Sequence, residues 1–319
     1  MVKLKVENVA ETCDRILAEL TTAVVGKELV LRKILVGVLA NSHILIEDYP
    51  GLAKTVIAKS LAVTIGCKFA RVQFTPDLLP ADITGTYIYN QKSSDFELRK
   101  GPIFTNILLA DEINRSPPKT QSALLEAMQE RQTTLDGKTH LLDNPFIVIA
   151  TQNPIEFEGV YQLPEAQLDR FIMRLQIGYP DKDSEIEILK RRITRRTDDF
   201  SLKTIVDSTT LLEMQDTVEG VHADDGVISY ITDIVRETRV HSQVEIGASP
   251  RGSLALLKLG RANAAMSGRD YILPDDVKAI CSEALSHRMI PKAASWVKGY
   301  DATSIIDEIV RRVPVPRVD

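Results

Sequence analysis

The chain predicts a doubly wound parallel α/β sheet followed by a smaller all-helical region, and three observations predict it. Ile44 to Thr55 runs from a short apolar strand through a break at Tyr49-Pro50-Gly51 into helix-forming residues, Val56 to Leu61. Ile107-Leu108-Leu109-Ala110 and Phe146-Ile147-Val148-Ile149-Ala150 are apolar without alternation, as in parallel strands covered on both faces. Beyond Tyr179-Pro180 strand signals fade and apolar residues take up helical spacing. That change of character puts a boundary near residues 178–182, giving an α/β region over 1–180 and a helical region over 181–319.

In order along the chain, Ile16, Leu17 and Leu20 give helical spacing from Val9 to about Leu20. Val24-Val25-Gly26-Lys27 interrupts, and an apolar helix resumes from Leu29 to Leu39. The helix after the Ile44 strand closes at Gly66, a common carboxy-terminal cap, and Phe69 to Phe74 reads as a strand. The prolines of Thr75 to Asp82 exclude a long helix there. Tyr87-Ile88-Tyr89 and Phe96-Glu97-Leu98 form a hairpin around residues 90–95, an insertion between core elements.

The strand from Phe104 to Ala110 ends in Asp111-Glu112. Ser116 and Pro117 then read as a cap and first helical residue, with helix continuing through Met128. A second hairpin, 132–135 with 140–142, turns at Asp136-Gly137, and the strand over 146–150 leads into Thr151-Gln152-Asn153-Pro154. The helical region carries two apolar stripes, the first made of Val227, Tyr230, Ile231, Ile234 and Val235 and the second running from Leu254 to Ala265. Ser249-Pro250-Arg251 caps the second of these, and Leu273-Pro274-Asp275-Asp276-Val277 opens a further helix with acids at its positive end.

Bulk properties narrow the function classes. With 319 residues and 44% hydrophobic content the chain buries a substantial core. Its 39 Lys and Arg against 44 Asp and Glu leave a net charge of −5, which offers no general attraction to nucleic acid or to an anionic membrane. Cys13, Cys67 and Cys281 lack the number and spacing of a disulfide framework or zinc site. No apolar run reaches membrane-span length and the amino terminus lacks a signal peptide's apolar region, so a cytoplasmic location is the expectation.

Asp48-Tyr49-Pro50-Gly51-Leu52-Ala53-Lys54-Thr55, continued by Val56, follows the phosphate-cradling spacing G-x-x-x-x-G-K-[ST], with Asp48 and Ala53 in place of two glycines. In that pattern backbone N–H groups surround the phosphates, Lys54 reaches the β/γ oxygens and the Thr55 hydroxyl meets Mg²⁺. Asp111, at a strand end, is a second candidate metal group, and Glu112 a base for the attacking water. A pair of acids at a strand end is also a common arrangement in its own right. Asn153 is an amide able to hold a water or the γ-phosphate, although asparagine before proline is equally a turn pair. Arg170 has the fork geometry suited to phosphate, or is an ordinary surface arginine. Arg251 stands near a helix amino terminus that favours anions, an interhelical ion pair being the alternative.

Five segments together resemble the MoxR family of AAA+ ATPases: 48–55, Leu109-Ala110-Asp111-Glu112-Ile113-Asn114-Arg115, Ala150 to Pro154, Leu163-Pro164-Glu165-Ala166-Gln167-Leu168-Asp169-Arg170-Phe171, and Ser249-Pro250-Arg251. The likeness spans residues 24 to 290. It implies a P-loop AAA+ core with a helical lid, Mg²⁺-ATP hydrolysis, and assembly into a ring, usually a hexamer, with ATP at subunit boundaries. Lys54 and Thr55 fall on Walker A, Asp111 and Glu112 on Walker B, Asn153 on sensor 1 and Arg251 on sensor 2, in cis or in trans. Arg170 matches an arginine finger acting on the neighbouring subunit, with Arg115 a second candidate. The hairpins near 85–100 and 131–145 resemble the helix-2 insert and pre-sensor-1 hairpin that face the ring pore. The resemblance further implies chaperone-like remodelling or maturation of protein complexes or metal-cofactor insertion, with a protein client and a von Willebrand factor A domain partner.

Two other functions fit portions of the sequence. Helicase relatives share the hairpins, yet Lys92, Arg99, Lys100 and Lys138 are interleaved with Asp95, Glu97, Asp136 and Asp143, so no nucleic-acid partner is expected. The altered loop also fits a nucleotide-responsive scaffold with little hydrolysis.

Overall fold

The computed structural model describes residues 4–92, 94–154, 160–293 and 300–316. Two amphipathic helices open it, α1 (Val6–Ala23) and α2 (Glu28–Leu39), and α1 buries Val9, Cys13, Ile16 and Leu20 along one face. β1 (Ile44–Glu47) leads through the 48–53 loop into α3 (Lys54–Thr64), then β2 (Phe69–Gln73) and the short α4 (Pro80–Thr84). Gly66 closes α3 at φ +61°, and a Cβ there would lie 2.5 Å from the Val206 carbonyl oxygen, so both conformation and space demand glycine.

β3 (Gly85–Asn90) and β4 (Asp95–Lys100) pair as an antiparallel hairpin. β5 (Ile107–Asp111) and a 3-10 turn at Ile113–Arg115 precede α5 (Pro118–Glu130), after which β6 (Gln132–Leu135) and β7 (Lys138–Leu141) form the second hairpin. β8 (Ile147–Gln152), the short α6 (Glu165–Leu168) and β9 (Met173–Leu175) complete the α/β region. Several boundaries differ from those read in the sequence; β5, read from Phe104 to Ala110, runs Ile107–Asp111, and two further differences lie beside the site. The Ser116 hydroxyl turns back to the Ile113 carbonyl at 3.4 Å, so Pro117 occupies the cap position of α5 without a side-chain cap. β8 runs on through Thr151 and Gln152, because both are buried and stay in the ladder beside β1.

The five sheet strands are all parallel, in the order β2-β5-β8-β1-β9. Each central strand sends alternate residues to opposite cores. Ile44, Ile46, Ile107, Leu109, Ile147 and Ile149 join one cluster, and Leu45, Leu108, Ala110, Val148 and Ala150 the other. Both faces are apolar, which is why the sequence shows unbroken apolar runs rather than alternation. β1 lies where chain order reverses across the sheet, so the loop leaving its carboxyl end opens into the crevice typical of ligand sites in such sheets.

Helices dominate the remainder: α7 (Lys182–Arg195), α8 (Ser208–Glu219), α9 (Asp225–Val240), α10 (Pro250–Ala265), α11 (Pro274–Lys278), α12 (Cys281–Leu285) and α13 (Ala302–Arg312). A small antiparallel pair, β10 (Val244–Ile246) with β11 (Ile290–Pro291), sits among them. One apolar cluster continues from α1 and α2 through α8, α9 and α10 to α13, so the helices after residue 200 share a core with the amino-terminal pair. The Gln215 amide on α8 donates to the Val38 carbonyl at 2.8 Å, fastening that junction. All three cysteines are free thiols, and burial pushes Cys13 and Cys281 up to about 12. Among the described residues no helix is long and apolar enough to cross a membrane.

Candidate nucleotide site

A cavity of about 380 Å³ opens at the carboxyl ends of β1, β5 and β8. Pro50, Gly51, Leu52, Ala53, Lys54, Thr55 and Val56 line it from one side, and Arg71, Gln73, Asp111, Glu112 and Asn153 from the other. The loop turns tightly. Gly51 stands at φ +82° and Ala53 at φ +55°, so Ala53 holds the left-handed conformation that glycine would supply more cheaply. α3 then begins at Lys54 and aims its free amino-terminal N–H groups at the cavity, an arrangement that attracts anions.

Lys54 is buried and its ammonium donates to the Asp48 carbonyl oxygen. Burial lowers its pKa, while Asp48, Asp111 and Glu112 oppose that shift through their negative charge. A buried ammonium with a backbone carbonyl for its partner and two acids nearby is suited to exchange that carbonyl for phosphate oxygens.

Asp111 is the last residue of β5. Its Oδ1 accepts from the Thr151 hydroxyl at 2.6 Å, and its Oδ2 accepts from Arg71 Nη2 at 2.7 Å and Nε at 3.1 Å. Glu112 follows in the left-handed region, φ +56° and ψ +51°. Its N–H donates to the same Thr151 oxygen at 2.8 Å. Its carboxylate accepts from Gln73 Nε2 at 2.6 Å and from Arg115 Nη1 at 2.8 Å. Thr151 is fully buried and therefore orients both acids from the adjacent strand, and Asn153 is buried just past the end of that strand.

Arg71, Gln73 and Thr151 escaped the sequence reading as site residues. The signal was positional: parallel register sets Gln73 opposite Asp111 and Ala110 opposite Ala150, bringing the ends of three strands together. Strand alternation alone would have pointed Arg71 and Gln73 the same way.

Asp48 and Tyr49, at the start of the loop, do not line this cavity and hold the loop to the chain beyond β9. The Asp48 carboxylate is buried and accepts from the Ile177 and Gly178 N–H groups, both at 2.6 Å, and from the Tyr49 N–H at 2.9 Å. It ties the end of β1 to the segment beyond β9. Tyr49 stacks on Tyr179 with ring centroids 5.9 Å apart. Lys27 secures the same segment through the Ile177 and Tyr179 carbonyls, each at 2.9 Å.

Arg170 and Arg251 also lie elsewhere, around a second cavity of about 300 Å³ shared with Asp169, Lys258 and Arg288. Arg170 Nη1 donates to the Leu125 carbonyl at 2.7 Å. Ser249 caps α10 as the sequence indicated, accepting from the Arg251 N–H at 3.2 Å. Arg251 Nη1 lies 3.7 Å from Asp169 Oδ2 with its side chain half exposed.

The sequence comparisons agree with this geometry. Residues 43–173 match the model described as ATPase family associated with various cellular activities (AAA), and residues 236–309 match the AAA lid domain. The chain is 39% identical over 317 residues to Chaperone MoxR1 of Mycobacterium tuberculosis, covering 97% of this chain and 83% of that protein. This chain is a MoxR-family AAA+ ATPase. It is also 47% identical over 292 residues to the uncharacterized protein YeaC of Bacillus subtilis, covering 92% and 91% of the two chains. A crystal structure of a candidate ATPase from Cytophaga hutchinsonii superposes with a TM-score of 0.91 at 41% identity, covering 97% of this chain and 96% of that one. Membership carries ATP hydrolysis, nucleotide binding usually with Mg²⁺, and the family's habit of forming oligomeric rings.

Proposed function

We propose that this MoxR-family ATPase works as a ring, of six subunits in its usual form, that hydrolyses Mg²⁺-ATP at subunit boundaries and uses the cycle to remodel or mature a protein complex or to insert a metal cofactor. What supports the reading is the division of charged groups between two cavities. The first holds the loop, the buried lysine and the two acids of one nucleotide site. The second is lined by Arg170 and Arg251, which match the family's transition-state and sensor positions and do not line the first. Both arginines then act on the nucleotide of the next subunit, Arg170 as finger and Arg251 as sensor 2 in trans.

In this reading the backbone of 51–55 and Lys54 bind the phosphates, and the Thr55 hydroxyl and Asp111 carboxylate would hold Mg²⁺. Both are oxygen donors lining the same cavity, the ligand type that hard cation takes. Once bound there, Mg²⁺ would supply positive charge against the triphosphate. Arg71, which pairs with Asp111 Oδ2, would have to give up that carboxylate oxygen for Asp111 to serve as a ligand through it. Glu112, freed from Gln73 and Arg115, accepts a proton from the attacking water, and Asn153 orients the water. Arg170 stabilises the charge that develops on the departing γ-phosphoryl group.

Residues 1–180 form the nucleotide-binding subdomain and 181–319 the lid. The two hairpins, the first with Ile88, Tyr89 and Phe96 exposed and the second with Leu141, present the client-facing surface, and a von Willebrand factor A domain protein is the expected partner in the cytoplasm. Comparing ATP turnover of the wild type with Glu112→Gln tests the catalytic claim. Turnover well above background in the wild type and abolished in the variant is expected; equal background rates in both would make the chain a nucleotide-responsive scaffold.

A further inference from the structure

We infer that Asp169 and Arg288 are positioning residues that lock Arg170 and Arg251 into one block, so that both arginines meet the neighbouring subunit's nucleotide together. The inference rests on the trans reading above.

Arg288 belongs to the 3-10 turn Ser286–Arg288 of the helical region, and its side chain is only 3% exposed. It spends its guanidinium on the finger segment. Nε donates to Asp169 Oδ1 at 2.8 Å, Nη2 to the Phe171 carbonyl at 2.7 Å, and Nη1 to the Ile172 carbonyl at 3.0 Å and to the Ala284 carbonyl. The neighbouring His287 adds an Nε2 contact to the same Phe171 oxygen at 3.0 Å. The other oxygen of Asp169 accepts from the Ser249 hydroxyl at 3.3 Å and faces Arg251 at 3.7 Å. A single carboxylate thus joins two separate pieces of the helical region, the 286–288 turn and the start of α10, and is adjacent in sequence to Arg170.

Arg170 is anchored to α5 through the Leu125 carbonyl, while its buried Nε has no hydrogen-bond partner among the described residues. The cavity between these groups is lined by Arg170, Arg251, Lys258 and Arg288 against the single acid Asp169, a surplus of positive charge suited to a phosphate tail entering from outside. A buried arginine with its charge matched by one carboxylate resists displacement, since separating the pair leaves a charge stranded in the interior. Displacing a catalytic group by about 1 Å costs on the order of 10²-fold in rate, which is the advantage of such rigidity.

The test measures ATPase kcat and KM, ring mass in ATP, and mixed-subunit activity. Asp169→Asn preserves shape and removes charge; Arg288→Lys preserves charge and removes the fork. Each is expected to lower kcat about 10- to 100-fold with KM for ATP changed less than about 2-fold, since each subunit's own loop is untouched. Asp169→Asn should add little to Arg170→Ala or Arg251→Ala, and should recover activity when mixed with Glu112→Gln subunits. Should Asp169→Asn fail to assemble, Arg288→Lys carries the test with the same kcat and mixed-subunit readouts. Wild-type kcat, losses that simply multiply with those of the two arginines, or absence of recovery in the mixture would each overturn the inference. If Arg170→Ala is itself not recovered by Glu112→Gln, the trans reading has failed. If Arg170→Ala is recovered while Asp169→Asn stays fully active, only the positioning role has failed.

Discussion

Thr151→Val probes how the site is held together, because one hydroxyl serves both acids. Valine matches threonine in shape, so the exchange removes the donor to Asp111 Oδ1 at 2.6 Å and the acceptor of the Glu112 N–H at 2.8 Å without opening a cavity. A hydrogen bond to a charged group contributes about 1.5 to 3 kcal/mol, and a buried N–H left without a partner costs about 1 to 3 kcal/mol. Arg71 still satisfies the other Asp111 oxygen, which puts the loss of folding stability at about 3 kcal/mol rather than the sum of the upper limits. Glu112 suffers a further effect: its left-handed backbone is about 1 to 2 kcal/mol unfavourable for a side-chain-bearing residue, and the Thr151 oxygen is one of the contacts that sustain it. Without that contact the backbone relaxes and the carboxylate leaves its place. If about 1.4 to 2.7 kcal/mol of this reaches the transition state, kcat falls about 10- to 100-fold. KM for ATP should change less than kcat, since Lys54 and the 51–55 backbone are untouched and Arg71 still pairs with Asp111, and Thr151→Ser should stay within about 3-fold of wild type because its hydroxyl is retained. Phosphate release at saturating ATP, paired with urea unfolding, measures both quantities. A Thr151→Val protein with wild-type kcat would show that the hydroxyl does not set the geometry of Glu112.

Arg170→Ala should bind nucleotide normally yet lose on the order of 10³-fold in kcat, with partial recovery on mixing with Glu112→Gln; loss of nucleotide binding instead would place Arg170 outside the transition-state role. His43 is buried between the Met128 carbonyl and the Val148 N–H, and burial, aided by the charge of Arg131, lowers its pKa from 6.5 to about 3. Its neutral form is the folded one, so its contribution is complete above pH 6.5 and falls as the unfolded chain takes up the proton below that, by about 2 kcal/mol at pH 5. Urea midpoints at pH 7.5 and 5 should therefore differ less in His43→Gln than in wild type, and an unchanged difference refutes the assignment. Ala53→Gly should match or exceed wild-type stability by up to about 1 kcal/mol by relieving the left-handed strain, whereas Ala53→Val should lose about 1 kcal/mol or more and weaken ATP binding. Thermal midpoints and nucleotide titration distinguish the two.

Where chemistry is local, the order of residues was enough. The strand, loop and helix around Lys54 were legible because apolar period, Pro-Gly punctuation and the Lys-Thr pair all lie within a short stretch, and the strands ending in Asp111 and preceding Asn153 were legible from unbroken apolar runs. How these pieces meet emerged only once the chain was folded. Gln73 reaches Glu112, and Thr151 reaches Asp111, from distant points of the chain, because parallel strands align residues that no local pattern relates. Folding also sets Asp48, in the place of a phosphate-loop glycine, to clamp the backbone at 177–178, and gathers Arg170 and Arg251 around Asp169, away from the loop of their own chain. A side chain's type is written in the sequence, but its direction depends on the packing of elements remote along the chain, which is why the neighbours of Asp48, Arg170 and Arg251 emerged only with the fold.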